Sequence, residues 1–350
     1  MVTTANLMRK DYLLDRWVVI ATQRKKRPTD FTKPLQKRQE TVCAFDPGNE
    51  HMTPPAVLVY LPTNGGIQKE EDQDDLRHKN WLIRVVPNLY PAFTPQDKEE
   101  KTKVGKGDFK FERATGHHEV IIESPRHDEH PSTATIPQLI HVINAYIDRM
   151  RKLSSKPYVK YVSIFRNHGL EAGASLSHAH TQLIATPIIP RIVEEELKAC
   201  QQRFNKNKEC AFCKIIEKES RSARFIWENN YFVIFAPWAS IHPFEFWIFP
   251  KKHQSCLLDL SQAEIKSMAE ALSVSLGGLK SLLTDPPYNF GFHQITGGNK
   301  DSYHWHLEVY PKLSIWAGFE KNTGMFINVV LPEDAAKFLR EAFLEEEKKI

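Results

Sequence analysis

Three separated stretches of this chain recur 126 residues later, and a spacing kept over that distance restricts the chain to a fold built from two similar halves. His118–His127 resembles Phe244–His253, each a β-rich run that ends in a turn and a histidine. Val162–Asn167 falls opposite Tyr288–His293, and the pair His178/His180 returns as His304/His306.

Each half reads as strand, long helix, strand, strand. The first helix is expected over 136–153, where Ile136, Leu139, Ile140, Ile143, Ile147 and Met150 recur at helical spacing. The second is expected over 261–283, with Ile265, Met268, Leu272 and Leu276 on one face. Segments 158–165 and 180–186 are rich in β-branched and aromatic residues, as strands are. The predicted class is α+β: duplicated halves, 1–190 and 191–350, each an antiparallel sheet with a crossover helix, the first catalytic and the second not. Residues 191–208 read as a charged link that begins as a helix, and 333–350 as a solvated helix with a charged end. Segments 64–75 and 94–107 are polar, turn-rich and read as mobile loops.

Charge narrows the partners. The 47 basic and 43 acidic residues leave +4, which suits an anionic small molecule but falls short of a nucleic-acid footprint. No arginine-rich helix or groove-reading motif is present, so a zinc-dependent nucleic-acid binder ranks last among the function classes. No apolar run reaches the roughly 18 residues that span a bilayer, and Met1–Arg9 lacks the apolar centre of a secretory signal, so a cytoplasmic protein without a membrane partner is expected.

Five cysteines are too few and too unevenly placed for a disulfide scaffold, so short spacings are read as metal ligands. Cys210-Ala211-Phe212-Cys213 is a CxxC pair, and the duplication supplies His253 and His304 as its complement. Two cysteines and two histidines make a closed, structural zinc site. The same construction in the first half yields Cys43, Asp46, His127 and His178, with Asp in the last place of a CxxD pair. A carboxylate is a harder ligand, so this set is either a weakened zinc site or a hydrogen-bonded remnant of one. Cys200 and Cys256 have no partner at useful spacing and read as buried thiols.

Alternation along a strand puts His178, His180 and Gln182 on one face. Just upstream, Asn167–Ser177 is a loop of small and hydroxylated residues of the kind that holds phosphate oxygens. A neutral imidazole is a good nucleophile near pH 7 when an acceptor holds its other nitrogen as N–H. His180 is therefore the candidate nucleophile, with Gln182 as a hydrogen-bond donor to a phosphoryl oxygen.

His178-Ala179-His180-Thr181-Gln182, preceded by Asn167 and its Gly/Ser loop, resembles the active-site signature of the galactose-1-phosphate uridylyltransferase family, a two-halved branch of the histidine-triad superfamily. The likeness extends through Asp15–Ile20, Arg24–Pro28, Val85–Pro91, Pro237–His253, His304–Pro311 and Ala317–Glu320. The resemblance implies that a nucleotide sugar and a hexose 1-phosphate are the substrates and that His180 carries the nucleotide between them in a ping-pong reaction. It implies phosphate contacts from Arg24, Arg27, Asn167, Gly173 and Ser175, a nucleotide contact from Asn88, and hexose contacts from Phe319, Glu320 and Asn328. It also implies a homodimer whose second half reaches the partner's substrate.

The leading expectation is transfer of UMP from UDP-glucose to galactose 1-phosphate. Ala179 and Thr181 are instead similar to a plant-type branch of ADP-glucose phosphorylases, so transfer of AMP to phosphate is the alternative, and an inert nucleotide-binding protein a further one. Glu196, His293, His306 and Glu308 fall where another branch carries iron, but Glu308 stands in place of a histidine, and no iron is expected there. His306 lacks a following glutamine, so the second half is expected to be silent.

Overall fold

The computed structural model describes residues 5–24, 26–31, 42–95, 109 and 111–350. Strands β1 (Leu7–Lys10), β2 (Trp17–Ile20), β3 (Leu58–Thr63), β4 (Gly66–Glu70), β5 (Ile83–Pro87) and β6 (His117–Ile122) precede helix α1 (Ile136–Ser154) and strands β7 (Tyr161–His168) and β8 (His180–Thr186). Helices α2 (Arg191–Asn207) and α3 (Ala211–Glu219) lead to β9 (Phe225–Glu228), β10 (Phe232–Phe235) and β11 (Phe246–Pro250). Helix α4 (Gln262–Leu283), β12 (Tyr288–His293), β13 (His306–Pro311), α5 (Gly318–Thr323), β14 (Phe326–Asn328) and α6 (Pro332–Glu347) complete the chain.

Eleven strands form one sheet in the order β4-β3-β5-β6-β8-β7-β12-β13-β11-β10-β9. The two halves meet at β7 and β12, which pair antiparallel with Phe165 opposite Gly291. Gly291 lies 126 residues after Phe165, so at this point the repeat pairs with itself. The axis relating the halves therefore crosses the sheet between these two residues. The sheet is antiparallel throughout, as the α+β class requires.

Side-chain alternation divides the sheet into two faces. Ile121, Val162, Ile164, Leu183, Phe290, Leu307 and Val309 turn to one face and share a single apolar core with α1 and α4. Thr135 caps α1 by accepting from the Gln138 N–H, and Ser261 and Glu264 form a reciprocal capping box at the start of α4. The boundary expected at 190/191 falls between β8 and α2, but residues on both sides of it belong to the same core.

The opposite face is covered unequally. Over the second half lie α2 and α3, which bury Val193, Cys200, Phe212, Ile215 and Ile216 against Trp247, Phe249 and Tyr303. Over the first half, among the described residues, there is only a small cluster around Val59, Trp81, Val120 and Ile122, with Phe45 packed on it. This difference leaves the face of β8 accessible. A separate three-stranded sheet, β1-β2-β14, ties the N-terminal hairpin to the end of the chain. There Arg9 stacks 3.9 Å above Trp238 and pairs with Glu333 at 3.0 Å.

Two expectations change. Segment 64–75 is not loop throughout: its residues 66–70 form β4, which makes a hairpin with β3, Thr63 opposite Gly66 around Asn64-Gly65, a dipeptide that favours tight hairpin turns. Of the other expected loop, residues 96–107 lie outside the described residues. The C-terminal helix α6 is not solvated all round, because Ala335, Ala336, Leu339 and Phe343 are buried against the core. Among the described residues, no helix is long and apolar enough to cross a membrane.

The contact between α4 and α6 is close enough to test. A Cβ added at Gly278 would lie 2.5 Å from Phe343 Cδ1 and 3.2 Å from the Ala342 carbonyl carbon. Replacing glycine in an exposed helix interior normally stabilises it. Here Gly278→Val is expected to cost about 1–3 kcal/mol through overpacking, measured as a fall in the urea midpoint at unchanged slope.

Candidate active site and metal-ligand clusters

His180 begins β8, and its ring is almost fully buried at 6% exposure. Nδ1 donates to the main-chain carbonyl of His178 at 2.8 Å, which places the proton on Nδ1 and leaves Nε2 with its lone pair. Nε2 makes no hydrogen bond among the described residues, yet it is not sealed off from solvent. Phe45 sits edge-on to the imidazole, with ring centroids 5.5 Å apart. Burial lowers the His180 pKa from its ordinary value, opposed in part by the bond to the His178 carbonyl.

The open face of the sheet brings other polar groups beside His180. Gln182 follows on the same strand, and Asn167 comes from β7. Gln182 Oε1 is held by His118 Nε2 at 2.8 Å, and Asn167 Oδ1 by Asn289 Nδ2 at 2.8 Å. Asn88 also meets this group, with its Nδ2 3.1 Å from His118 Nε2. The loop after Asn167 turns on Gly169 (φ 82°) and Gly173 (φ 90°), conformations that favour glycine. The N–H groups of Ala172, Gly173 and Ala174 are bonded to the Gly169 and Leu170 carbonyls. These three N–H groups are thus committed within the loop. Ser175 is exposed near the loop's end.

Beneath His180, on the helix side, lies a buried charged network. Arg166 pairs with Glu123, and donates to the His180 carbonyl at 3.1 Å and to His130 Nδ1 at 2.9 Å. Tyr146 of α1 and Thr181 complete the shell of the Glu123 carboxylate. Arg166 and Glu123 are 1% and 2% exposed, so removing either would strand a buried charge at a cost of about 3–5 kcal/mol. The pair fixes the backbone that carries His180.

Three sets of ligand-type side chains have donor atoms within 4.8 Å of one another. In Cys210, Cys213, His253 and His304, Cys213 Sγ lies 3.3 Å from Nδ1 of each histidine. Their Nε2 atoms donate to the carbonyls of Lys300 and Pro250 at 3.0 and 2.9 Å. That arrangement fixes the tautomer with both Nδ1 lone pairs pointing inward, as metal-binding histidines require. The hydrogen bond from Cys213 draws the Cys210 thiol far below its ordinary pKa.

Cys43, Asp46, His127 and His178 repeat the arrangement. Asp46 Oδ1 is 2.8 Å from His127 Nδ1 and 3.0 Å from His178 Nδ1, while His178 Nε2 donates to the Ser124 carbonyl at 2.7 Å. Burial opposes the Asp46 charge, but its bonds to His127 and His178 prevail and lower its pKa. Because the His178 proton is committed to Ser124, a carboxylate and a ring nitrogen face each other. The four groups together are of a kind that can hold a metal ion.

The third set, Glu196, His293, His306 and Glu308, occupies the second half's counterpart of the His180 face. Glu196 from α2 reaches in to accept from His293 Nδ1 at 3.0 Å and from the Tyr303 hydroxyl at 2.7 Å. Burial disfavours charge on His293, yet Glu196 and Glu308 overcome it and raise its pKa to about 9. His306 Nε2 is buried without a hydrogen bond and lies 3.3 Å from Glu308 Oε1. Phe212, Trp247 and Phe249 pack around its ring, leaving no approach for a phosphorus atom.

Other sequence-derived candidates are dispersed. Arg27 is exposed, while the Arg24 side chain lies outside the described residues. Phe319 is exposed on α5, and Glu320 accepts from the Ala317 N–H to cap that helix. Asn328 departs from expectation. It is 1% exposed, donates to the Ser240 and His242 carbonyls and accepts from the Val330 N–H, so its polar atoms hold turns together rather than face a hexose. His118, Asn289, Phe45, Arg166 and Glu123 escaped the sequence reading, since strand alternation alone does not say which neighbours a register brings together.

Residues 2–190 match a family profile described as "Galactose-1-phosphate uridyl transferase, N-terminal domain", and residues 110–349 match one described as a domain of unknown function. The ADP-glucose phosphorylase of Arabidopsis thaliana is 34% identical over 345 residues, covering 96% of this chain and 93% of that one. The galactose-1-phosphate uridylyltransferase of Thermotoga maritima is 30% identical over 348 residues, covering 97% and 99%. A crystal structure of the Arabidopsis thaliana ADP-glucose phosphorylase with bound ADP-glucose superposes with a TM-score of 0.77 at 30% identity, over 96% of this chain and 99% of that one. The shared fold and sequence make the protein a nucleotidyltransferase. It belongs to the galactose-1-phosphate uridylyltransferase family.

The lowered pKa of His180 has a measurable sign. Its imidazole stays neutral at pH 7 and takes a proton only as pH falls through a value below the ordinary 6.5. An NMR titration of labelled histidines, assigned with His180→Ala, is expected to show a midpoint below 6.5; a midpoint at or above it would contradict the desolvation argument.

Proposed function

We propose that the protein moves a nucleoside monophosphate from a nucleoside-diphosphate hexose through a covalent nucleotidyl-His180 intermediate. The observation that carries this reading is the His180 imidazole itself, with Nδ1–H committed to the His178 carbonyl and Nε2 open on a face shared with two carboxamides. Nε2 attacks the α-phosphorus, and the bond from that phosphorus to the bridging oxygen breaks. The hexose 1-phosphate leaves as a stable anion that needs no proton. A second phosphate nucleophile then attacks the same phosphorus, the P–N bond breaks, and the neutral imidazole returns. Throughout, the His178 carbonyl stabilises the positive charge that the ring acquires, while Gln182 donates to the phosphoryl oxygen.

Adenine is the base we propose, with inorganic phosphate as acceptor. This follows the 34% identity with a relative named ADP-glucose phosphorylase, together with Ala179 and Thr181 at the two spacer positions of the histidine motif. Transfer of UMP to galactose 1-phosphate is the second reading, favoured by the 30% identity over 97% of the chain with a uridylyltransferase. In a homodimer, Phe319 and Glu320 would serve the partner's substrate.

Zinc is the metal we propose for Cys210, Cys213, His253 and His304, where it would hold α3 to the strands as a structural ion. Cys43, Asp46, His127 and His178 would hold a second ion less tightly. Metal would supply rigidity there, and no chemical step depends on it.

Two measurements test these readings. After incubation with ADP-glucose, the intact mass of the wild type is expected to rise by one AMP, and His180→Ala to show no gain. A UMP adduct from UDP-glucose alone would select the second reading, and no adduct from either donor would end both. Metal analysis is expected to give two zinc ions per chain, falling to one in Asp46→Ala; a single ion in the wild type would make the first cluster a hydrogen-bonded remnant.

A further inference from the structure

We infer that His118 and Asn289 are positioning residues, which lock the carboxamides of Gln182 and Asn167 with their NH2 groups toward the phosphoryl group being transferred. The inference rests on His180 as the nucleophile.

A carboxamide is nearly symmetric in shape but opposite in polarity at its two ends. Facing an anionic phosphoryl group, its NH2 attracts and its oxygen repels. Two such groups flank His180, and each would lose its value if free to rotate. Each has its oxygen tied back. The ties form two short relays, and both end on main-chain groups whose polarity cannot be reversed.

The first relay starts at the Ala92 N–H, which donates to His118 Nδ1 at 3.1 Å. Nδ1 must therefore be the acceptor nitrogen, which puts the ring N–H on Nε2 and leaves the nearby Asn88 Nδ2, 3.1 Å away, without an acceptor there. That N–H donates to Gln182 Oε1 at 2.8 Å. The register explains the reach: Val120 stands opposite Gln182, so His118 is the diagonal neighbour on the same face. The Asn88 N–H donates to the His118 carbonyl at 2.8 Å, holding the nucleotide-side segment to the same residue.

The second relay ends at the Ala172 carbonyl, which can only accept. Asn289 Nδ2 donates to it at 2.8 Å and to Asn167 Oδ1 at 2.8 Å. Asn289 faces Asn167 directly across the β7–β12 pair, so a residue of the silent half sets an amide of the active one. With both oxygens tied, Gln182 Nε2 and Asn167 Nδ2 make no hydrogen bond among the described residues, and neither is buried. Both NH2 groups are left for an anionic ligand. An ideal Cβ at Gly173 would lie 3.8 Å from Asn167 Nδ2, so this donor borders the glycine turn of the loop.

Rapid-quench, single-turnover measurement of the nucleotidyl-enzyme, with whichever of ADP-glucose and UDP-glucose labels the wild type, tests the proposal. A single oxyanion donor is commonly worth about 10²–10³ in rate. His118→Ala leaves Gln182 in place but free to turn, so its maximal labelling rate is expected to fall about tenfold, while the half-saturating donor concentration changes less than threefold. His118→Ala/Gln182→Ala should be no slower than Gln182→Ala alone. His118→Gln, which keeps an N–H donor, should recover most of the rate. Asn289→Ala should likewise add nothing to Asn167→Ala, and Asn289→Asp, which offers Asn167 Oδ1 no donor, should lose at least as much as Asn289→Ala. Multiplicative losses in the double variants, wild-type rates in the single ones, or a change confined to half-saturation would overturn the proposal. Absence of label on the wild type would instead overturn the His180 reading.

Discussion

Everything distinctive in this structure depends on the pairing of β7 with β12. A duplicated chain can separate its copies into two bodies or merge them, and here the merger is made by main-chain hydrogen bonds at the centre of the sheet. With Phe165 opposite Gly291, the halves are held in a relation that side-chain repacking alone could not shift, because a slip of one residue would turn every side chain of β12 to the other face. The apolar residues that α1 and α4 bury would then meet solvent. Register and core thus enforce one another.

Within that frame the two copies differ less in their motifs than in what lies over them. His180 and His306 hold equivalent places, and each has Nδ1 directed at the carbonyl two residues before it, at 2.8 Å and 3.4 Å. What separates them is α2 and α3. These helices bring Glu196 and Phe212 onto the second face and convert a reactive nitrogen into an interior one. Among the described residues, the first half has no such covering helices, only Phe45 and a small cluster, and its histidine keeps an opening. The difference in access between the two histidines is a consequence of packing.

The sequence was legible where information is local or periodic. Helical spacing located α1 and α4 to within a residue or two, and the offset joined CxxC to its distant histidines, which the fold brings within 4.8 Å. Where a residue's task is set by a cross-strand neighbour, the sequence was opaque. Nothing in the surroundings of His118 or Asn289 says that a register will set them beside Gln182 and Asn167. Asn328 shows the converse, since a polar residue that the resemblance assigns to the hexose is committed to main-chain atoms. The tight turn at Asn64-Gly65 was readable in principle, but the polar residues around it drew the segment into a loop.

The shared sheet also decides what can be taken apart. Residues up to 190 contain the histidine motif, the glycine turn and one complete ligand cluster. Severed there, β7 would present a bare row of main-chain donors and acceptors to the solvent, the kind of edge that recruits other chains. The first half is therefore not a transplantable module. The second copy thus covers a sheet edge that the first would otherwise expose, and its loss would open the shared sheet at its centre.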